Sequence, residues 1–170
     1  MNERYCCEKY ENKIVVAADS QISYGGTNRK FPDVKMRKIN SDLIIGVTGT
    51  AETCGLLWIY FETHSLEPAS CEKTIMNFIT DFVRWRKDYA GGDPFDSSFI
   101  IVYKDKIFEV FGFSIIEITD YVAIGSGFEM ATAALYLGHS PKEAVKVACD
   151  LTNYVGESIK EEVIKFNAKK

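Results

Sequence analysis

Apolar residues recur along this chain in strand-length runs, and in two places give way to helical spacing. Residues 4–9 and 13–18 flank Tyr10-Glu11-Asn12, the makings of a hairpin. Gly25-Gly26-Thr27-Asn28 with Phe31-Pro32-Asp33 reads as an irregular loop, longer than a simple hairpin connection. Residues 35–39 and 43–47 straddle Asn40-Ser41-Asp42, a second hairpin signal. The run 43–47 is apolar without alternation, as expected of a strand covered on both faces.

Two helices are predicted next. Thr50 can cap a helix over 51–64, where Cys54, Leu57, Trp58 and Phe61 recur at helical spacing. Ser70 can cap a second, in which Ile75, Phe78, Ile79, Phe82 and Val83 form an amphipathic stripe. Trp58, Tyr60 and Trp85 suit either core packing or subunit contacts. Strands are then expected over 98–103, 107–111, 113–118 and 121–124. Gly125-Ser126-Gly127 opens a third helix that Gly138 closes. Ser140-Pro141-Lys142-Glu143 is a capping box with proline at the first helical position, opening a helix expected to end near Gly156. Residues 158–166 read as a last strand and 167–170 as a frayed tail.

The order is strands, two helices, strands, two helices, one strand. Hairpin-linked strands argue against a doubly wound parallel sheet. Helix pairs returning to mostly antiparallel strands predict an α+β fold, with two stacked sheets and a helical layer outside each. At 170 residues, 46% of them hydrophobic, residues 1–170 are expected to form one domain with a real core.

Composition narrows the function. A net charge of −4 without a basic stripe argues against a nucleic-acid partner. No apolar run approaches the ~20 residues of a membrane span, and the N-terminus lacks the apolar core of a signal peptide, so a cytoplasmic, membrane-free protein is expected. Cys6, Cys7, Cys54, Cys71 and Cys149 are an odd number without ligand spacing. Cys6 and Cys7 in one strand point to opposite faces and cannot chelate one metal. No metal and no cofactor is expected.

Candidate chemistry gathers at strand ends. Asp19 follows the run 14–18, Thr48-Gly49-Thr50 follows the run 43–47, and Lys38 comes between them beside an apolar Ile39. Gly125-Ser126-Gly127 leads from strand to helix, where backbone N–H groups can hold an anion or Ser126 can simply cap the turn. Asp150 and Asn153 lie near the end of the last long helix. Periodicity sets Asp150 beside Val147 and Leu151, so partial burial is expected, although an exposed helix-end position fits equally.

Five segments together resemble the proteasome β-subunit family, most closely its HslV-type peptidases: Val15-Val16-Ala17-Ala18-Asp19-Ser20-Gln21, Lys35-Met36-Arg37-Lys38-Ile39, Ile45-Gly46-Val47-Thr48-Gly49-Thr50-Ala51, Ala123-Ile124-Gly125-Ser126-Gly127, and the helix containing Asp150. They occur in the family's order along nearly the whole chain. The resemblance implies a four-layer αββα sandwich of the N-terminal-nucleophile hydrolase type. It implies ring assembly, hexameric or heptameric and often stacked in pairs, and an AAA+ unfoldase partner in the proteolytic members. In such enzymes the first residue of the mature chain, normally threonine, is the nucleophile and its own α-amine the base. By resemblance Asp19 is the aspartate, Lys38 the lysine it holds, Gly49 the oxyanion-hole donor, and Ser126 and Asp150 the supporting serine and aspartate. Asn153 falls where the family has a second serine.

Counting back along the hairpin puts the nucleophile near Glu3, and Met1-Asn2-Glu3-Arg4 contains no threonine, serine or cysteine. The expectation is a non-catalytic, ring-forming relative serving as scaffold or binding protein. The alternatives are a peptidase exposed by processing before Cys6 or Cys7, or one with another nucleophile, and a small-molecule binder that uses the vacated cleft.

Overall fold

The computed structural model describes residues 4–24, 27–30, 35–66, 68–91, 97–152 and 158–167, with the backbone alone over 21–24 and 27–30. The turn after Lys9 folds β1 (Arg4–Lys9) against β2 (Lys13–Asp19) in antiparallel register, pairing Cys6 with Ala17. The outer edge of β1 takes up Tyr121–Gly125 and that of β2 takes up Ile159–Lys165. The first sheet is thus four antiparallel strands with β1 and β2 at its centre.

Gln21–Tyr24 (β3) and Thr27–Lys30 (β4) form a small antiparallel hairpin, so part of the stretch read as an irregular loop pairs with itself. The second sheet runs in sequence order through β5 (Met36–Lys38), β6 (Leu43–Thr48), β7 (Ser98–Tyr103), β8 (Lys106–Phe111) and β9 (Ser114–Ile118), all antiparallel. Strand Tyr121–Gly125 is β10 and Ile159–Lys165 is β11.

Helix α1 (Ala51–Phe61) starts at Thr50, whose side chain accepts from the Thr53 amide. It ends three residues before His64, short of the expected length. Helix α2 (Glu72–Ala90) begins after Cys71, one residue later than the predicted Ser70 cap, and Cys71 makes no side-chain cap. Helix α3 (Phe128–Tyr136) follows Gly127, and α4 (Pro141–Asp150) opens with the full Ser140–Glu143 capping box. Helix α4 ends at Asp150, short of the expected end near Gly156, a residue outside those described.

Strand alternation sorts side chains into three apolar layers. Tyr5, Cys7, Ile14 and Val16 meet Met36, Ile44, Ile100 and Val102 between the sheets. Cys6, Ala17 and Ala123 face outward onto Ala131, Ala134, Ala144 and Ala148 of α3 and α4. Leu43, Ile45 and Val47 face the other way onto α1 and α2. The architecture is α+β, in four layers ordered α, β, β, α.

Trp58 and Tyr60 are buried in the third layer with Phe78 and Phe82, and Trp85 packs against it. They are core. The large apolar side chains left exposed include Phe111, Phe113, Ile116 and Phe128.

One residue closes the two sheets on each other. The Tyr5 hydroxyl, wholly buried, donates to the Val47 carbonyl at 2.7 Å. Its ring lies so near Gly46 that a Cβ there would stand 2.8 Å from it, closer than real contacts allow.

Candidate active site

Pairing of Tyr5 with Ala18 sets Arg4 at the start of β1 opposite Asp19 at the end of β2. The Arg4 amide donates to Asp19 Oδ1 at 3.0 Å, and Lys35 Nζ donates to the same oxygen at 3.1 Å. The Arg4 guanidinium lies 3.6 Å from Asp19 Oδ2, and these side chains are at most 1% exposed. Arg4 also donates to the Thr152 hydroxyl and to Cys149 Sγ, tying the start of β1 to the end of α4. Such a cluster removes three charges from water, a cost that only close pairing offsets.

The lysine of this site is therefore Lys35 and not Lys38. Lys38 is exposed and donates to the Val163 carbonyl of β11 at 2.7 Å. Three residues of extended chain, roughly 10 Å, separate the two positions. Strand β5 runs antiparallel to β6, so its start lies beside the end of β6, where Val47 donates to the Lys35 carbonyl at 3.0 Å. Lys38 lies at the opposite end, next to the hairpin turn. The polar end of β6 thus marks Lys35, a relationship legible in the sequence once the hairpin is drawn.

Gly49 follows β6 at the Lys35 end with φ 135°, a conformation L side chains rarely adopt. Ser126 follows the end of β10, where Gly125 pairs with Arg4. Gly127, with φ 80°, lets the turn pack against the arginine: a Cβ there would stand 3.5 Å from Arg4 Nε. Asp150 is not brought in. It is exposed and pairs with Lys146 one helical turn back at 2.6 Å, because α4 turns Ala144, Val145, Ala148 and Cys149 inward instead. Of the apolar neighbours expected to bury Asp150, Val147 is partly buried against the core and Leu151 is exposed. Asn153 and Glu3 lie outside the described residues.

Cys6 and Cys7 are fully buried in the interior of β1, hydrogen-bonded on both edges. Burial pushes both thiols well above the usual range, the reverse of what an activated sulfur needs. Sequence reasoning misses Arg4 and Thr152, for which no motif gives a signal; Arg4 reads only as the first residue of a strand. Among the described residues no group of three His, Cys, Asp or Glu side chains is placed to hold a metal.

No protein-family profile matches the chain. Among solved structures, that of Thiobacillus denitrificans BPH superposes with a TM-score of 0.84, covering 98% of this chain and 100% of that one at 18% identity. The structure of eukaryotic HslV from Trypanosoma brucei gives a TM-score of 0.75 over 95% of this chain and 99% of that one, at 23% identity. These likenesses speak for the fold. The sequence itself is 30% identical over 166 residues to the ATP-dependent protease subunit HslV of Aliarcobacter butzleri, covering 89% of this chain and 91% of that protein. Likeness of that degree along nearly the full length of both proteins makes the chain a member of the HslV family.

Proposed function

We propose that the chain is a ring-forming HslV-type subunit that does not itself cleave peptide bonds. One observation carries this reading: the carboxylate of the Lys35–Asp19 pair accepts from the amide of Arg4, and the residue ahead of Arg4 is Glu3. A glutamate inside the chain offers neither a hydroxyl nor a free amine. Cys6 and Cys7 do not substitute, since each is locked within a central strand. Asp19 and Lys35 then persist as a structural pair, because deleting either partner strands a buried charge. The subunits assemble into hexameric or heptameric cytoplasmic rings, with an AAA+ unfoldase as the partner to be sought.

A working peptidase is favoured by one specific feature, the intact Lys35–Asp19 pair at the head of β1. The two readings part on covalent labelling. Thiobacillus denitrificans BPH is seen in complex with epoxomicin, an epoxyketone whose ring adduct needs a nucleophile with an adjacent amine. Intact mass after incubation of this protein with epoxomicin is expected to show no adduct and a chain that retains Glu3. A stoichiometric adduct on a shortened chain overturns the proposal. Native mass spectrometry of the same sample is expected to show six or seven copies, or twice that; a monomer removes the ring.

A further inference from the structure

One carboxylate set between the sheets has no partner in its own chain. Ile100 pairs with Glu109 and Ser98 with Phe111, so strand alternation turns all four toward the first sheet. There Glu109, half-buried, lines a cleft of about 240 Å³ with Ser98, Phe111, Ala123, Ile124 and Phe128. Among the described residues no hydrogen bond or ion pair reaches Glu109, and burial raises its carboxyl with no charged neighbour to offset the rise. A carboxylate drawn from water in this way carries an uncompensated cost until a cation or donor joins it. The rest of the lining is mostly apolar. Ala123 and Ile124 are buried, and the Phe111 and Phe128 rings stand 66% and 48% exposed.

Size and chemistry together select the occupant. Drug-sized ligands take roughly 300–1,000 Å³, so a smaller cleft suits one side chain. An acid set among aliphatic and aromatic walls matches an aliphatic stem that carries a positive head. We propose that the Glu109 cleft binds a cationic side chain, lysine or arginine, presented by another polypeptide. The head donates to the Glu109 carboxylate and the Ser98 hydroxyl, and the stem lies on Ile124 and against the two phenylalanine rings. The cleft lies at the end of the sandwich that carries Asp19. Gly125, which also lines it, pairs with Arg4, and Ser98 pairs with Thr48. The site goes beyond the function proposed above, because it holds whether or not the chain cleaves peptide bonds.

Methyl-resolved NMR of the protein as purified, at pH 8 and read at the Ile124 methyl groups, tests it. The probes are the Nα-acetyl methylamides of lysine, of arginine and of the neutral norleucine. A cationic probe is expected to shift Ile124 saturably, with a dissociation constant on the order of millimolar. Norleucine is expected to bind about fivefold more weakly or less. Whichever cation binds tighter names the side chain. Glu109→Gln keeps the shape of the side chain and is expected to abolish the preference for the cation while leaving norleucine unchanged. Equal binding of norleucine and the cations, or a preference that survives Glu109→Gln, overturns the proposal. If neither cation shifts Ile124, native mass spectrometry decides. Smaller assemblies in Glu109→Gln than in the unmodified chain would place a neighbouring copy's cation in the cleft already, and an unchanged mass distribution overturns the proposal.

Discussion

Lys35 Nζ lies 3.1 Å from Asp19 Oδ1, a buried ion pair made across two sheets by residues 16 apart in sequence. Asp19 accepts from both Lys35 and the Arg4 amide, and the Arg4 guanidinium flanks it, so the carboxylate holds the cluster together. Asp19→Ala leaves two cations in a dry interior and is expected to cost about 3–5 kcal/mol. Urea denaturation of the variant, followed by circular dichroism, measures it.

Exchanging the two lysines separates their roles. Lys35→Ala strips one partner from a buried carboxylate and is expected to cost several times more than Lys38→Ala. The latter removes one exposed contact to the Val163 carbonyl and is expected to stay within about 1 kcal/mol. Comparable losses would return Lys38 to consideration. Unfolding midpoints of the pair decide it.

That exchange also shows where the sequence was legible. Nearly every strand and helix was written in spacing and turn residues, and the hairpins at Tyr10–Asn12 and Asn40–Asp42 lie where the turn residues put them. Asp19 could be found because a lone carboxylate ends an apolar run. Motif likeness points to Lys38, whereas the antiparallel pairing of β5 with β6 sets Lys35, at the start of β5, beside the polar end of β6. Asp150 failed for a different reason. Ala144, Val145, Ala148 and Cys149 form the buried face of α4, whereas Val147 is only partly buried and Leu151 is exposed.

Tyr5 and Gly46 form a matched pair. Gly46→Ala would drive a methyl group into the Tyr5 ring and is expected to destabilise by about 1–3 kcal/mol. The penalty should shrink in a Tyr5→Leu background, where the ring is gone. A double-mutant cycle on thermal or urea unfolding reads the coupling, and strictly additive losses would separate the two residues.

Glu109 points from β8 into a cleft of about 240 Å³ lined by Ser98, Phe111, Ile124 and Phe128, and burial raises its carboxyl above the ordinary value of 4.5. The folded protein then holds this proton more tightly than the unfolded chain. Its contribution to stability is fully present below pH 4.5 and is lost as pH rises through the raised value. Glu109→Gln is expected to flatten that part of the stability–pH curve. An unchanged slope would show that other groups set it.

Thiol chemistry should divide the cysteines. Cys71 is partly exposed, and hydrogen bonding with Thr74 lowers its thiol, whereas Cys6, Cys7, Cys54 and Cys149 are buried. A maleimide is expected to label Cys71 alone in the folded protein and the other four only in denaturant, read by peptide mass mapping. Labelling of Cys6 or Cys7 without denaturant would show that β1 opens.

The Tyr5 hydroxyl on the Val47 carbonyl has a consequence for how this chain can be matured. Tyr5 is the peg between the two sheets, seated one residue before Cys6. A cut that freed the amine of Cys6 would discard the peg along with Arg4. A mature chain therefore cannot begin beyond Tyr5 without unfastening its own halves, which confines any trimming to residues ahead of that peg.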